Sequence, residues 1–130
     1  MEESNTPASR SDAASSAVPL QRVLDRFDAY MGKKDYRNAE QLLLYWMQET
    51  AGSGDDGTRL SLCNELIGFY RKTEQKEKAF EAVQTALSIL QRLPATPPAV
   101  NTGTSYVNIA TAYNAFGQQQ EALAYYEKAK

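Results

Sequence analysis

A chain of 130 residues, 42% hydrophobic, 23% charged and 10% aromatic, has the composition of one ordinary globular domain and lies outside the ranges of disordered or fibrous sequences. Fourteen Lys and Arg against sixteen Asp and Glu leave a formal charge of −2, which gives no long-range attraction to nucleic-acid phosphates or an anionic membrane, so neither is expected as a partner. The absence of histidine excludes imidazole-activated nucleophiles, histidine-ligated metals and most pH switches, and the single Cys63 can form neither an intrachain disulfide nor a thiolate metal site.

Residues 1–18, rich in Ser, Ala, Asn, Asp and Pro, hold no large apolar residue before Val18 and lack the basic start and apolar run of a secretory signal. A disordered tail is expected there, followed by one domain over 19–130. No apolar run approaches the roughly 20 residues that span a bilayer, the longest being LLLYWM at 42–47. Together with the lone thiol, this leads to the expectation of a cytoplasmic protein.

From residue 20 onward the apolar positions follow the 3.6-residue helical period, with no alternation of the strand type. Leu20, Val23, Leu24, Phe27, Tyr30 and Met31 form one stripe; Tyr36, Ala39, Leu42, Leu43, Trp46 and Met47 form a second. Between them GKKD at 32–35 offers a glycine to end the first helix and an aspartate to cap the next. After a connector, GSGDDGT at 52–58, the pattern predicts helices near 59–73 and 76–93, which Pro94, Pro97 and Pro98 terminate. Two more are predicted near 101–116 and 119–130. The expectation is all-α, with six helices in three pairs.

A fixed register runs through the pairs. Tyr30, Tyr70 and Tyr113 are each followed nine positions later by alanine, at Ala39, Ala79 and Ala122. Thirteen positions on stand Leu43, Val83 and Tyr126, and sixteen on Trp46, Ala86 and Ala129. Seven positions back are Val23, Cys63 and Tyr106, and three back Phe27, Ile67 and Ala110. The same ladder three times over marks a repeated structural unit.

The third unit, with Tyr106, Ile109, Ala110, Tyr113, Gly117, Ala122, Tyr126 and Ala129, resembles a tetratricopeptide repeat, and NIATAYNAFGQQQEALAYYEKA is close to that family's consensus. The second matches at Leu66, Tyr70, Ala79 and Ala86, with Ile67 and Glu74 in place of a small residue and glycine. The first departs further, with Arg26, Phe27, Lys34 and Trp46 at signature positions, so the resemblance rests chiefly on residues 60–130. The family's usual period is about 34 residues. Tyrosine spacings of 40 and 43 exceed it, as in longer-period members such as the kinesin light chain type and bacterial tandem arrays. The resemblance implies a right-handed α-solenoid of three antiparallel pairs, near 20–51, 60–93 and 101–130, with the first helices lining a concave groove. It also implies a non-catalytic scaffold for a protein or peptide, without a cofactor. The alternative is a ligand-sensing regulatory fragment of a longer array.

Other motifs have plainer readings. Gly52, Gly54 and Gly57 spell G-x-G-x-x-G, but a helix precedes them and Asp55 and Asp56 would repel a phosphate, so they read as a connector. A calcium loop fails on register, because no glutamate closes the twelve residues when Gly57 takes position six. Asp25, Asp28 and Glu65 read as surface carboxylates and not as a catalytic pair, and Cys63 as a buried small hydrophobe. The aromatics lack the interleaved basic residues of a base-stacking surface and read as core.

A second face of the first helices, set six and two residues before each tyrosine and one after, carries the candidate binding groove. It comprises Leu24, Asp28 and Met31, then Asn64, Gly68 and Arg71, then Val107, Thr111 and Asn114, with Asn108 at its edge. Asparagine amides there can pair with an extended peptide backbone while Leu24, Met31 and Val107 supply apolar contact. Members that grip chaperone tails use a basic clamp. Here the corresponding positions hold Leu24, Asp28, Glu65, Thr104 and Asn108, so that ligand is disfavoured. The sixth helix is expected to expose Leu123, Tyr126 and Ala129, which implies self-association through it or continuation of the array.

Overall fold

The computed structural model describes residues 18–93 and 102–129. Among them are six α-helices and no strand: α1 Leu20–Gly32, α2 Tyr36–Glu49, α3 Asp56–Lys72, α4 Lys76–Arg92, α5 Thr102–Ala115 and α6 Gln119–Ala129. The all-α expectation holds. The chain divides into two compact units, residues 1–42 and 43–130. Residues 1–17 of the tail expected over 1–18, the helix-ending Pro94, Pro97 and Pro98, and the expected helix ends Asn101 and Lys130 lie outside the described residues.

The first unit holds α1, the turn after it and the first half of α2. Asp35 caps α2, its carboxylate accepting from the Asn38 backbone N–H at 3.4 Å and from the Asn38 side-chain amide at 2.8 Å. Val23, Phe27 and Ala39 are buried. Gly32, expected to end α1 through its conformational freedom, has no positive φ; the left-handed residue is Lys34, at φ 60°. The reason lies in the turn. The amide of Lys34 reaches the Met31 carbonyl at 3.0 Å and that of Asp35 the Tyr30 carbonyl at 2.9 Å, a closure that requires a left-handed residue just before Asp35.

The second unit uses the same turn twice. Glu74 at φ 59° and Gly117 at φ 84° occupy the equivalent place, four residues after Tyr70 and Tyr113. Behind them the amides of Gln75 and Gln118 close onto the Tyr70 and Tyr113 carbonyls at 2.9 and 2.8 Å. The second helix then opens with Ala79 and Ala122 bonding back to the Gln75 and Gln118 carbonyls. Ala79 and Ala122 are buried, because a methyl group is what lets paired helices approach closely. The hairpin α3/α4 receives α5, which packs against both of its helices and chiefly against α3. Leu60, Cys63, Leu66, Ile67, Val83, Ala86, Ile89, Ile109 and Ala110 form the core.

α3 begins at Asp56 and not near 59, which shortens the connector expected over 52–58. Asp55 accepts from the Thr58 amide at 3.2 Å as a cap, and Asp56 adds a negative charge to the first turn, where the helix dipole favours it. Asp56 also takes two bonds from Arg92 in the last turn of α4, at 3.0 and 3.3 Å, tying the hairpin's open end together. That guanidinium holds the Asp56 carboxyl below its ordinary range. The pair's contribution is therefore present at neutral pH and fades as acid protonates the folded-state carboxylate.

Two predictions follow the ladder and the turn. Tyr70→Ala, by leaving a cavity, and Ala79→Asp, by burying a charge at a helix contact, should each lower stability by about 2 to 5 kcal/mol. A melting curve like the parent's for either would remove the register. A left-handed glutamate is strained where glycine is not, so Glu74→Gly should raise stability by about 0.5 to 1 kcal/mol and Gly117→Ala lower it by a similar amount. Denaturant titration of the two variants against the parent checks the signs.

Candidate functional site

The candidate stripe of the second unit lies on α3 and α5. On α3, Asn64, Gly68 and Arg71 are half-buried; on α5, Asn108 and Thr111 are half-buried while Asn114 is exposed and Val107 stands 42% exposed. A Cβ built at Gly68 meets nothing within 4 Å, so this stretch of α3 faces open space. In the first unit Leu24 and Met31 are half-buried and Asp28 exposed, at the same register of α1.

Hydrogen bonding divides these side chains into two kinds. The Asn64 amide donates to the Ser105 hydroxyl at 3.0 Å, joining α3 to α5, while its Oδ1 is buried with no partner among the described residues. Asn64 therefore ties one hairpin to the next and spends its donor there. Thr111 Oγ1 donates to the Val107 carbonyl at 2.8 Å and lies 3.2 Å from the Tyr126 hydroxyl, which must then be the donor of that second bond. Spacing along the chain gave no sign of Ser105 or of the Tyr126 hydroxyl. Both depend on how helices pack across 41 and 15 residues of sequence.

The motifs read as structural behave accordingly. Gly52 and Gly54 sit in the connector at φ 78° and 80°, while Gly57 lies within α3, so the three glycines do not form one phosphate-binding loop. Cys63 is fully buried, and burial pushes its thiol up to about 12. Among the described residues no group of three or more His, Cys, Asp or Glu could hold a metal, and no helix is long and apolar enough to cross a membrane.

The outer face of the third pair is apolar. Leu123 is 65% exposed, Tyr126 37% and Val107 42%. Their counterparts 43 residues earlier are Phe80, Val83 and Asn64. Phe80 packs its ring against Tyr113 and Phe116 at 5.0 and 5.7 Å, Val83 is fully buried, and Asn64 holds Ser105. The positions with which α3/α4 holds its neighbour are thus the ones that α5/α6 leaves open.

A family model for the tetratricopeptide repeat matches residues 58–130, more than half of the chain. Neither a curated protein nor a solved structure matches it significantly. The match covers both hairpins of the second unit, with their shared tyrosine turn and buried alanine, and the chain belongs to the tetratricopeptide repeat family.

Proposed function

We propose that the chain is a non-catalytic scaffold that binds a protein or peptide along the stripe of α3 and α5, and that in the first unit Leu24, Asp28 and Met31, at the same repeat positions of α1, take part in binding. Repeats of this family generally mediate protein–protein interaction. The observation that carries the reading is the surface of α5. It presents Asn114 and the exposed side of Val107 on one face with half-buried Asn108 at its edge, and on α3 the space beside Gly68 is open. Neutral donors and acceptors next to modest apolar area suit an extended backbone, which offers both kinds of group along its length. Arg71 is the stripe's cation, so charge pairing is a minor contributor.

The test is titration of a partner recovered by affinity capture against the parent and against Asn108→Ala with Asn114→Ala, at low and high salt. Each lost neutral bond is expected to cost about 0.5 to 1.5 kcal/mol, and parent affinity should change little with salt. Asn64→Ala serves as a separate control. It should weaken the fold through Ser105 as well as the surface. Unchanged affinity in the double variant would move binding off this face.

The exposed side chains of α6 support self-association as part of the scaffold's behaviour, with a second copy covering Leu123, Tyr126 and Ala129. Sedimentation should then show concentration-dependent association that Leu123→Lys abolishes, because the substitution puts a charge in the contact. A parent that sediments as a monomer at high concentration would remove this proposal.

A further inference from the structure

Three exposed cations on α1 and its C-cap stand at positions that the other two hairpins bury. Counted from the turn tyrosine, the places eight, four and one before it and three after hold Arg22, Arg26, Ala29 and Lys33 around Tyr30, and all four are exposed. At 3.6 residues per turn they fall within about 60° of one another and form a line roughly 16 Å long. Around Tyr70 the same places hold Leu62, Leu66, Phe69 and Thr73, the first three buried. Around Tyr113 they hold Ser105, Ile109, Ala112 and Phe116, again with the first three buried.

On α5 this face seats one helix on others. Ser105 receives the Asn64 amide at 3.0 Å, Phe116 meets Phe80 at 5.7 Å, and α5 packs on α3 and α4. The small Ser105 and Ala112 suit a close approach of backbones, and Ala29 holds the place of Ala112 on α1. The line on α1 thus occupies the register of a helix contact but is cationic where the others are largely apolar. Its charge is not neutralised from within. Among the described residues Arg22, Arg26 and Lys33 make no ion pair, Asp25 accepts from Gln21 at 2.9 Å, and Asp35 is engaged by Asn38. Asp28 lies about 120° round the helix from Arg22. The chain's formal charge of −2 does not cancel the line, because exposed charges further off than roughly 8 Å are screened at physiological salt.

We propose that this face of α1 docks an acidic helix of a partner protein, whose carboxylates form a line at helical spacing and meet Arg22, Arg26 and Lys33 while the two backbones approach at Ala29. The guanidinium groups of Arg22 and Arg26 suit paired hydrogen bonds to carboxylates, and Lys33 supplies a point charge at the end of the line. Three cations in one narrow line match one helix. A polybasic lipid site gathers about four to eight, and nucleic acid is held by neutralising many phosphates. The face lies on another side of α1 from Leu24, Asp28 and Met31, and it does not depend on peptide binding along the α3/α5 stripe.

The probe is a synthetic peptide of about 20 residues, long enough to be helical by itself, built on alanine and glutamine with glutamates at i, i+4, i+7 and i+11 so that it can lie along the line in either direction. It is titrated into the full chain while backbone amide resonances are followed by NMR. Saturable shifts centred on Arg22, Arg26, Ala29 and Lys33 are expected, with affinity falling about fivefold or more from low to high salt. Arg22→Glu with Arg26→Glu should abolish them and leave the melting temperature close to the parent's, since both side chains are exposed. A peptide of identical composition with its glutamates spread round the helix should bind about two- to tenfold more weakly. Equal binding of the two peptides would reduce the contact to undirected attraction and overturn the helix docking. No saturable shift, or shifts that persist in the charge-reversed protein, would overturn the site. Tighter binding of oligo-dT or of phosphatidylserine vesicles than of the peptide at the same residues would assign the line to a polyanion and overturn the proposal as well.

Discussion

The turn after each tyrosine governs the rest of the structure. Its carbonyl, at Tyr30, Tyr70 and Tyr113, accepts from the amide five residues on, which forces the residue between them into the left-handed region and aims the next helix back along the first. Nine residues after the tyrosine an alanine then meets the first helix with essentially no exposed surface. A larger side chain there would push the pair apart, and a polar one would be buried without a partner. Closure and close approach together determine which stripe of each helix is covered. Every surface discussed above is what remains uncovered.

Because these devices are local, they could be read from residue types and spacing. The ladder around Tyr70 and Tyr113 predicted the pairing and most helix limits, and its small residues marked the contacts that proved buried. Where the reading slipped, a longer-range or conformational cause was responsible. α3 starts early because Asp56 meets Arg92, 36 residues away, a pairing no local pattern announces. The first turn was assigned to Gly32 because glycine is the usual left-handed residue. The closure needs that conformation two residues later, and the surrounding hydrogen bonds impose it on Lys34.

The candidate surface was legible to a lesser degree, for the same reason. Helical spacing groups Val107, Thr111 and Asn114 on one face of α5, since that is a property of one helix. What each polar group bonds to is a property of several. Asn64 shares the register of Val107, yet its amide is engaged by Ser105 across the seam between hairpins, and Thr111 is engaged by Tyr126. The amides that remain as candidates for a binding role are therefore those of half-buried Asn108 and exposed Asn114.

Repetition also explains how one position can carry an aromatic ring in one hairpin and a small side chain in the next. The turn, the buried alanine and the aliphatic contacts at Leu66 and Ile109 recur in both, so neither hairpin relies on the aromatic stack for its basic geometry. Tyr106 and Tyr125 add ring contact to the third pair. The second pair has the Asp56–Arg92 tie and α5 packed against it, and carries Cys63 and Ala82 in those places.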